Sequence, residues 1–591
     1  MIKLARIISL LQVDPTIGDL SGNAKRLESL ASIAQDNGAL LAVTTELAIS
    51  GYPPRDLLLQ PDFVRMSQNQ ACSLSVGIPV LVGTPVLPDG ERELPGNGVI
   101  RAGPLAAHPS GKQTNRVVTT KQLLPSYDVF DETRYFQASN RSGICRTIGN
   151  LDLGVTICED AWQVAGLTPS KYGLDPIENL AEWGRQGVNL DATVNLSASP
   201  YHADKVSTRI EVCRTAASVL GHPFLLANQV GGNDDLLFDG CSLVAWPDGT
   251  VVIAPSWQEG VLMVDLDDST KCQWIASTLE DSLMVGKSQL KFLSPNEDGH
   301  EEGSELIEDI ADAVVTGLAD YCRKSKIDKI VLGLSGGIDS AAAACVAAAA
   351  VGPENVLGIS MPSRFSSQHS QDDAKYTAES LGIPFKVEAI DDLHTIIDSQ
   401  IGSMLENGNS VAGENIQARL RGLIIMAYAN SQGRMAIATG NKSELAQGYC
   451  TLYGDMAGGY TPLGDLYKMQ VYALSEEFNS RALALGMPAP VNQSTMTKPP
   501  SAELAPEQKD QDTLPPYPLL DEILRLHIEQ SLDADQMVEQ GMNRDTVIEV
   551  LTRLESNEHK RWQMSPAPRV SSRAFGQGWR RPLASKHDWR D

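Results

Sequence analysis

The segment Gly333–Ala341 (GLSGGIDSA) is the feature that most constrains how this chain folds. The apolar run Lys329–Leu334 is typical of a buried strand, and the alanine-rich run Ser340–Val351 is typical of a helix. A further strand is predicted at Asn355–Met361. This strand–helix–strand order predicts an α/β domain with a parallel sheet, in which the glycines form the turn between the first strand and the helix.

The chemistry of this turn suits a pyrophosphate group. Glycines let the backbone approach an anion closely, and the N-terminus of the next helix offers free N–H groups and a positive dipole end. The Walker A pattern GxxxxGK[ST] is absent, whereas a GxSxG match leaves open a serine hydrolase with Ser335 as its nucleophile. Asp339 and Ser340 favour the phosphate interpretation, because a carboxylate and a hydroxyl in the first helical turn suit phosphate-bound Mg²⁺.

The first half of the chain predicts a separate layered α/β domain. Apolar, β-rich runs end in polar residues at Glu46, Lys121, Cys158 and Asn195, with helical periodicity between some of them. Because strand ends in such a layer converge on one rim, we expect the first three side chains to meet. A cysteine, a lysine and a glutamate together make a coherent amidase, since the lysine favours the thiolate and the glutamate moves its proton.

The acidic, polar stretch Ser294–Glu305 (SPNEDGHEEGSE) is the best linker candidate. We therefore assign 1–290 to the first domain, 291–305 to an acidic linker, and 306–591 to the second domain with its C-terminal tail. The formal charge of −26 disfavours nucleic acid as a partner. No apolar run approaches the roughly 20 residues of a membrane span, and the N-terminus lacks a signal-peptide pattern, so a cytoplasmic enzyme without a membrane partner is expected.

The second half resembles a known enzyme class through an ordered set of motifs. SGGIDS resembles the pyrophosphate loop of the N-type ATP pyrophosphatases, and ENIQARLR, TGNKSE, YGD, PLGDLYK and EHKR follow it in the order of the NAD synthetase domain. The likeness covers roughly 307–582 and implies a Rossmann-like parallel sheet.

This resemblance implies roles for particular residues. It assigns ATP to Gly333, Leu334, Ser335, Gly336, Gly337, Ile338, Asp339, Ser340, Thr439 and Lys468. It assigns Mg²⁺, brought with ATP, to Asp339 and Glu444. It assigns deamido-NAD to Asn415, Arg419, Glu444 and Lys560.

The first half resembles the nitrilase superfamily over about 2–285. The resemblance rests on the sequence segments around Glu46, Lys121 and Cys158, which are TELAISGYP, KQLLPSYDVFDETRYF and ICED. The resemblance implies an α-β-β-α sandwich, a Glu46–Lys121–Cys158 triad and a structural role for Glu132. In glutamine-using members, the positions that match Tyr127, Ser199 and Lys205 hold glutamine.

A nitrilase-like domain that uses glutamine releases ammonia. An N-type ATP pyrophosphatase domain forms an acyl-adenylate, which ammonia then attacks. The whole chain therefore resembles the glutamine-dependent NAD synthetases, which implies a C–N ligase that uses glutamine, ATP and deamido-NAD. The family likeness also implies a homo-oligomer built through the synthetase domain. Two alternatives remain open: a related amidotransferase with another acceptor, and a C–N hydrolase fused to a nucleotide sensor.

Overall fold

The computed structural model describes residues 5–88, 93–104, 117–140, 143–146, 151–169, 171–277, 289–300, 304–405, 410–505, 508–585 and 589. The chain divides into two compact units. The first holds Met1–Asn233, Leu237–Asp281 and Lys287–Glu301, and the second holds Asp234–Leu236, Ser282–Gly286 and Glu302–Asp591. Within the described ranges, every helix is too short or too polar to cross a membrane.

The described strands of the first unit are β1 (Ile7–Gln12), β2 (Leu41–Val43), β3 (Val80–Val86), β4 (Gly96–Ala102), β5 (Val117–Thr120), β6 (Gly143–Arg146), β7 (Asp152–Ile157), β8 (Ala192–Ser197), β9 (Phe224–Asn228), β10 (Val230–Asn233), β11 (Leu236–Asp239), β12 (Leu243–Ala245), β13 (Val251–Ile253), β14 (Gly260–Asp265), β15 (Gln273–Ala276) and β16 (Lys291–Leu293). Its described α-helices are α1 (Leu20–Asp36), α2 (Pro61–Cys72), α3 (Pro176–Arg185) and α4 (Lys205–Leu220).

These elements form four layers. The two sheets have the orders β15-β14-β1-β2-β3-β4-β5 and β16-β13-β12-β9-β8-β7-β6, and β10 pairs with β11 outside them. Leu41 and Val43 of the first sheet share a buried cluster with Val155 and Val194 of the second. Helices α1 and α2 cover the other face of the first sheet, and α3 and α4 cover the other face of the second. This arrangement confirms the predicted α-β-β-α sandwich.

Strand β1 shows why the strands of this unit appear in the sequence as continuous apolar runs. Ile8 and Leu10 point into the cluster between the sheets, whereas Leu11 belongs to the cluster beneath α1. Alternate side chains of a strand point to opposite faces, and both faces of this strand are buried. The sequence must therefore be apolar at nearly every position.

The boundary after the first unit differs from the predicted one. Lys291–Leu293, assigned above to the linker, is an edge strand whose Leu293 pairs with Val251 of β13. The strand is short and Phe292 is half exposed, so its sequence carries little strand signal. Residues 301–303 of the predicted linker lie outside the described residues.

The described strands of the second unit are β17 (Ile330–Gly333), β18 (Val356–Ser360), β19 (Phe385–Val387) and β20 (Met435–Ala436). Its described α-helices are α5 (Ser304–Ser325), α6 (Ile338–Val351), α7 (Gln368–Leu381), α8 (Asp391–Leu405), α9 (Ser410–Gln432), α10 (Lys442–Gln447), α11 (Lys468–Ala484), α12 (Gln493–Thr497), α13 (Tyr517–Ile528), α14 (Ala534–Glu539), α15 (Arg544–Ser556) and α16 (Glu558–Arg561).

All strand pairs of this sheet are parallel, in the order β19-β18-β17-β20. The chain proceeds from β17 outward to β18 and β19, and then returns to the other side of β17. The carboxyl end of β17 therefore lies at a switch point, which is where doubly wound sheets bind their ligands. The glycine-rich turn follows β17 directly, and the predicted Rossmann-like parallel sheet is confirmed.

Candidate active sites

Glu46 lies just beyond β2 and is fully buried. Its Oε1 accepts hydrogen bonds from Lys121 Nζ at 2.8 Å and from Asn97 Nδ2 at 2.7 Å. Its Oε2 accepts a hydrogen bond from the backbone N–H of Ala198 at 3.1 Å. These donors fix the carboxylate in one orientation.

Lys121 follows β5 and is also buried. Its Nζ donates to Oε1 of Glu46 and to Oε1 of Glu132, both at 2.8 Å. Burial alone would lower the pKa of Lys121, but the carboxylates of Glu132 and Glu46 outweigh it and raise that pKa well above its usual value. The side chain is therefore a permanent ammonium ion.

Glu132 is the second carboxylate that binds this ammonium. Tyr52 OH donates to the same Oε1 of Glu132 at 3.0 Å. Burial raises the pKa of Glu132 to about 7, although Lys121 favours the ionised form. This arrangement is the geometry expected of a structural carboxylate that orients a lysine.

Cys158 is the first residue of a short 3-10 turn that follows β7. Its φ of 44° lies in the left-handed region, which is uncommon for a residue with a side chain and occurs most often at functional sites. Asp160 holds the turn, because its Oδ2 accepts from the N–H of Ile157 at 3.1 Å. Asp160 Oδ1 accepts from the N–H groups of Gln122 and Leu123, at 2.9 and 2.8 Å, and so ties the turn to the segment after Lys121.

The thiol of Cys158 lies within the electrostatic reach of Glu46 and Lys121. Burial and the Glu46 carboxylate raise the pKa of Cys158 well above its usual value, against the opposing effect of Lys121. The resting group is therefore a thiol, and attack on a carbonyl requires a base to remove its proton. Glu46 carries the carboxylate suited to this task, and Lys121 carries the positive charge that stabilises a thiolate or an oxyanion.

Replacing Glu46 by glutamine tests whether the carboxylate acts as this base. Loss of its negative charge is expected to lower the Cys158 pKa, so that alkylation by iodoacetamide accelerates roughly tenfold for each pKa unit. Glutamine hydrolysis should nevertheless fall by at least about a hundredfold, because no base takes the proton. Mass spectrometry of the Cys158 peptide measures the first effect, and the exposed Glu178→Gln substitution is the control. Slower alkylation together with lost hydrolysis would indicate a structural role instead.

Two of the three predicted glutamine-binding residues meet at Glu159. Tyr127 OH donates to Oε1 and Oε2 of Glu159, at 2.9 and 3.0 Å, and Tyr172 OH donates to its Oε1 at 3.2 Å. Lys205 acts electrostatically on Glu159, and its Nζ lies 4.5 Å from the centre of the Trp162 ring. Cys158 is thus followed at once by a buried carboxylate that lies among polar groups.

Ser199, the third predicted glutamine-binding residue, lies beside the Glu46 end of the site. It is buried, and its N–H donates to Asn228 Oδ1 at 2.9 Å. The preceding residue, Ala198, is the one that donates to Glu46. The structure therefore places Ser199 one residue from a backbone contact with Glu46.

The predicted phosphate loop of the second unit runs from Gly333 to Ser340. Gly336 has a φ of +82°, and a Cβ at this position would lie 2.1 Å from the carbonyl oxygen of Ser370, so only glycine fits. Ser340 Oγ donates to the carbonyl of Gly337 at 3.0 Å and accepts from the N–H of Ser335 at 3.2 Å. The loop thus folds on its own hydroxyl groups at the N-terminus of α6, where helices bind anions.

Asp339, Glu444 and Lys468 meet beside this loop. Lys468 Nζ donates to Asp339 Oδ2 at 2.5 Å and to Glu444 Oε1 at 3.1 Å. Burial and the Asp339 carboxylate raise the pKa of Glu444 to about 8, with Lys468 opposing them. Asn441, the N-cap of α10, donates from Nδ2 to Asp339 Oδ1 at 2.8 Å.

The carboxylate pair fits a magnesium ion that arrives with a nucleotide. Both carboxylates already reach one cation, and Mg²⁺ prefers oxygen ligands. Among the described residues, no three His, Cys, Asp or Glu side chains are grouped to hold a metal. Thr439 lies a few residues beyond β20, at the same sheet edge, and is half-buried.

Three of the four predicted deamido-NAD residues converge on the loop 448–452. Asn415 Oδ1 accepts from Thr451 Oγ1 at 2.8 Å, and Arg419 Nε donates to the carbonyl of Leu452 at 3.3 Å. Lys560 Nζ donates to the carbonyls of Gly448 and Cys450, at 2.6 and 2.8 Å. The carboxylate of Glu444 instead accepts from Lys468, while the backbone carbonyl of Glu444 accepts from the N–H of Tyr449 in this loop at 2.9 Å.

Sequence reasoning missed several members of these sites. Asn97, Glu159, Asp160 and Asn441 contact the predicted residues but received no role. The signal for Glu159 and Asp160 was available, because two acids directly after a buried strand and a cysteine are unusual in a core. Asn97 carried no comparable signal.

Comparison with known proteins agrees with both halves. The carbon-nitrogen hydrolase family model matches residues 7–275, and the NAD synthase family model matches residues 310–564. A glutamine-dependent NAD(+) synthetase from Synechocystis sp. is 39% identical over 98% of this chain and 98% of its own length. This chain belongs to the glutamine-dependent NAD(+) synthetase family.

Other members of the glutamine-dependent NAD(+) synthetase family also match this chain over nearly its whole length. The protein of that name from Thermotoga maritima is 37% identical over 98% of both chains. Among solved structures, the glutamine-dependent NAD+ synthetase of Acinetobacter baumannii, in complex with ADP, has a TM-score of 0.70 and 30% identity over 98% of both chains.

Proposed function

We propose that this protein is a glutamine-hydrolysing NAD synthetase. It adenylates deamido-NAD with ATP, and ammonia released from glutamine displaces AMP to give NAD, with pyrophosphate as the other product. The observation that carries this proposal is that one chain holds both centres. A buried thiol lies in a carboxylate–ammonium set in the first unit, and Lys468 joins two carboxylates beside a phosphate loop in the second.

In the first unit, the Cys158 sulfur adds to the amide carbonyl of glutamine as Glu46 takes the thiol proton. Lys121 stabilises the oxyanion, and Glu46 returns the proton to the departing nitrogen, which leaves as ammonia. Water then hydrolyses the glutamyl thioester, again with Glu46 as the base, and restores the thiol. Tyr127, Ser199 and Lys205 hold the substrate, and the buried Glu159 is suited to receive its ammonium group.

In the second unit, the backbone of 333–340 and the N-terminus of α6 hold the ATP phosphates. Lys468 and Thr439 contact ATP, and Lys468 offsets negative charge as pyrophosphate departs. Mg²⁺, bound by Asp339 and Glu444, would supply further charge neutralisation at the phosphates. Ammonia then attacks the acyl-adenylate carbonyl, and the bond to AMP breaks.

The most specific part of the proposal is that deamido-NAD is the molecule that receives the ammonia. Deamido-NAD presents a carboxylate and a pyrophosphate, which require cations and amide donors. Arg419 and Lys560 supply the cations and Asn415 supplies the amide, and all three reach the loop 448–452. Glu444, four residues before this loop, lies where the loop meets the adenylation residues.

Substrate choice by the unaltered protein tests the function. With glutamine, ATP and Mg²⁺ present, we expect AMP and NAD to form with deamido-NAD, and no AMP with xanthosine monophosphate or aspartate. Chromatography of the nucleotides measures both products. AMP formed with another acceptor instead would make the protein a different amidotransferase, and glutamine hydrolysis without AMP in any mixture would make it a hydrolase with a nucleotide sensor.

The proposal includes a homo-oligomer built through the second unit. Apolar side chains are exposed on α8 and α9, which pack together, and on the edge strand β19. Val387 is 58%, Ile396 59% and Leu423 63% exposed. Large apolar side chains that stay exposed are common at protein interfaces. A second copy of the chain is the occupant that we propose.

Charged substitutions test this interface. Light scattering of the unaltered protein should give the mass of two or more chains, and Ile396→Glu with Leu423→Glu should reduce that mass. Leu483→Glu, at a site that is 61% exposed on α11, is the matched control and should leave the mass unchanged. A single-chain mass for the unaltered protein would exclude the oligomer.

A cytoplasmic location completes the proposal. All nine cysteines lie within the described residues and none of them is part of a disulfide there, which is typical of proteins in reducing compartments. A reducing environment would also keep the Cys158 sulfur in the reduced form that the proposed attack uses.

A further inference from the structure

A buried ion pair lies behind the adenylation residues and takes no part in the steps above. Lys442 Nζ and Asp465 Oδ1 are 2.8 Å apart, with side chains 0% and 1% exposed. Lys442 is the first residue of α10, two residues before Glu444, and Asp465 stands three residues before Lys468. Each member of the pair therefore belongs to a short run that carries one of the groups meeting Asp339.

The C-terminal tail supplies the third member of this cluster. Ser571 Oγ accepts from Lys442 Nζ at 2.6 Å and donates to Asp465 Oδ2 at 2.9 Å. The N–H groups of Val570 and Ser571 also donate to Asp465 Oδ2, at 2.8 and 2.7 Å. Lys442 Nζ donates as well to the carbonyl of Arg573, at 3.0 Å. The tail thus hydrogen-bonds both members of the ion pair.

The tail is packed closely along the run that leads to Asp465. The N–H of Thr461 donates to the carbonyl of Pro566 at 2.8 Å. A Cβ at Gly464 would lie 2.7 Å from the Cβ of Ala567, so the Ala567 side chain packs closely against the backbone of Gly464. This part of the chain follows residue 564, where the match to the NAD synthase family model ends.

Buried ionic groups are stable only when their remaining hydrogen bonds are satisfied, and removing one partner leaves a costly uncompensated charge. The cluster therefore has one low-energy arrangement, which fixes the run 441–444 against the run 465–468. Two further contacts join the same runs: Lys442 N–H donates to the carbonyl of Leu466 at 2.8 Å, and Lys468 N–H donates to Ser443 Oγ at 3.0 Å.

We propose that the tail segment 569–573 is a positioning element of the adenylation site. It acts through Ser571, Lys442 and Asp465, and it sets the placement of Glu444 and Lys468 relative to Asp339. None of the tail residues contacts the reacting atoms in this proposal. The inference rests on the proposed function and assigns a part of it to residues that follow the match to the NAD synthase family model.

The test compares Ser571→Ala with Ser571→Thr in the full chain. Ammonium-driven NAD synthesis by the Ser571→Ala protein should show a kcat roughly ten- to a hundredfold lower, since two buried charges lose a hydrogen bond. The KM for ATP should change less than about threefold, because misplaced groups reduce transition-state stabilisation more than substrate binding. Ser571→Thr keeps the hydroxyl and should restore most of the kcat.

Ser585→Ala is the matched control. Its hydroxyl lies further along the same tail, outside the segment 569–573, and it is exposed and donates to the carbonyl of Pro582 at 3.1 Å. This control should keep the unaltered rate, and all three variants should hydrolyse glutamine normally.

Three results would overturn the inference. They are a Ser571→Ala kcat equal to that of Ser585→Ala, an equal loss in the alanine and threonine variants of Ser571, and a joint loss of synthesis and glutamine hydrolysis. The last result would indicate a general folding defect. Failure of the unaltered protein to form NAD would instead refute the proposed function, so the two failures are distinguishable.

Discussion

A Cys158→Ala protein is expected to lose glutamine-driven NAD synthesis while ammonium-driven synthesis continues at the unaltered rate. The substitution removes the sulfur that attacks the amide, and the other eight cysteines lie outside the Glu46–Lys121 set. Without the covalent step the loss should reach at least roughly a thousandfold. NAD formed from deamido-NAD and ATP, with either glutamine or ammonium chloride, measures both activities.

Cys72→Ala is the control for this substitution, because it removes a half-buried thiol on α2, away from the triad. It should leave both nitrogen sources effective. Persistent glutamine-driven synthesis in the Cys158→Ala protein would exclude Cys158 as the nucleophile. Loss of both activities would indicate that the substitution disturbs more than the first unit.

An Asp339→Asn protein is expected to lose NAD synthesis but to keep glutamine hydrolysis, the reverse of the Cys158→Ala protein. It should lose synthesis with either nitrogen source, by at least roughly a hundredfold, and still hydrolyse glutamine. Asp339 accepts from Lys468 and Asn441, so the neutral amide leaves the Lys468 ammonium with one carboxylate fewer and weakens the proposed hold on Mg²⁺. Release of AMP and of glutamate, measured separately, follows the two reactions.

Asp545→Asn is a suitable control, because it neutralises an exposed acid in the first turn of α15. Normal ammonium-driven rates in the Asp339→Asn protein would place the metal and phosphate contacts elsewhere. The magnesium requirement gives a second readout. The unaltered rate should saturate at a lower Mg²⁺ concentration than any residual rate of the variant.

The elements that the sequence predicted well are those with local signals. The helix predicted at Ser340–Val351 is observed as Ile338–Val351, after the predicted strand and glycine turn. Local patterning suffices here, because a buried parallel strand, a Gly-Gly turn and an alanine-rich helix each have a characteristic composition. The polar residues at the strand ends were likewise visible, and the structure brings Glu46 and Lys121 into contact.

Long-range placement was not predictable in the same way. From the sequence, we expected the three triad residues to lie on one rim of a layer. In the structure, β2 and β5 belong to one sheet and β7 belongs to the other. Lys560 donates to the backbone carbonyls of Gly448 and Cys450, more than a hundred residues away. A carbonyl acceptor exists at every residue, so such contacts leave no pattern in the sequence. The edge strand β16 was missed for a related reason, since three residues are too few to show a periodicity.

The division of the triad between two sheets makes its geometry a property of the core. The Cys158 sulfur and the Glu46 carboxylate are carried by opposite walls of the sandwich, and the layer of Leu41, Val43, Val155 and Val194 sets the gap between those walls. Packed interiors transmit a change of even one methylene group. The aliphatic side chains between the sheets therefore set the distance between Cys158 and Glu46. Their volumes are constrained by the reaction of Cys158 as well as by folding.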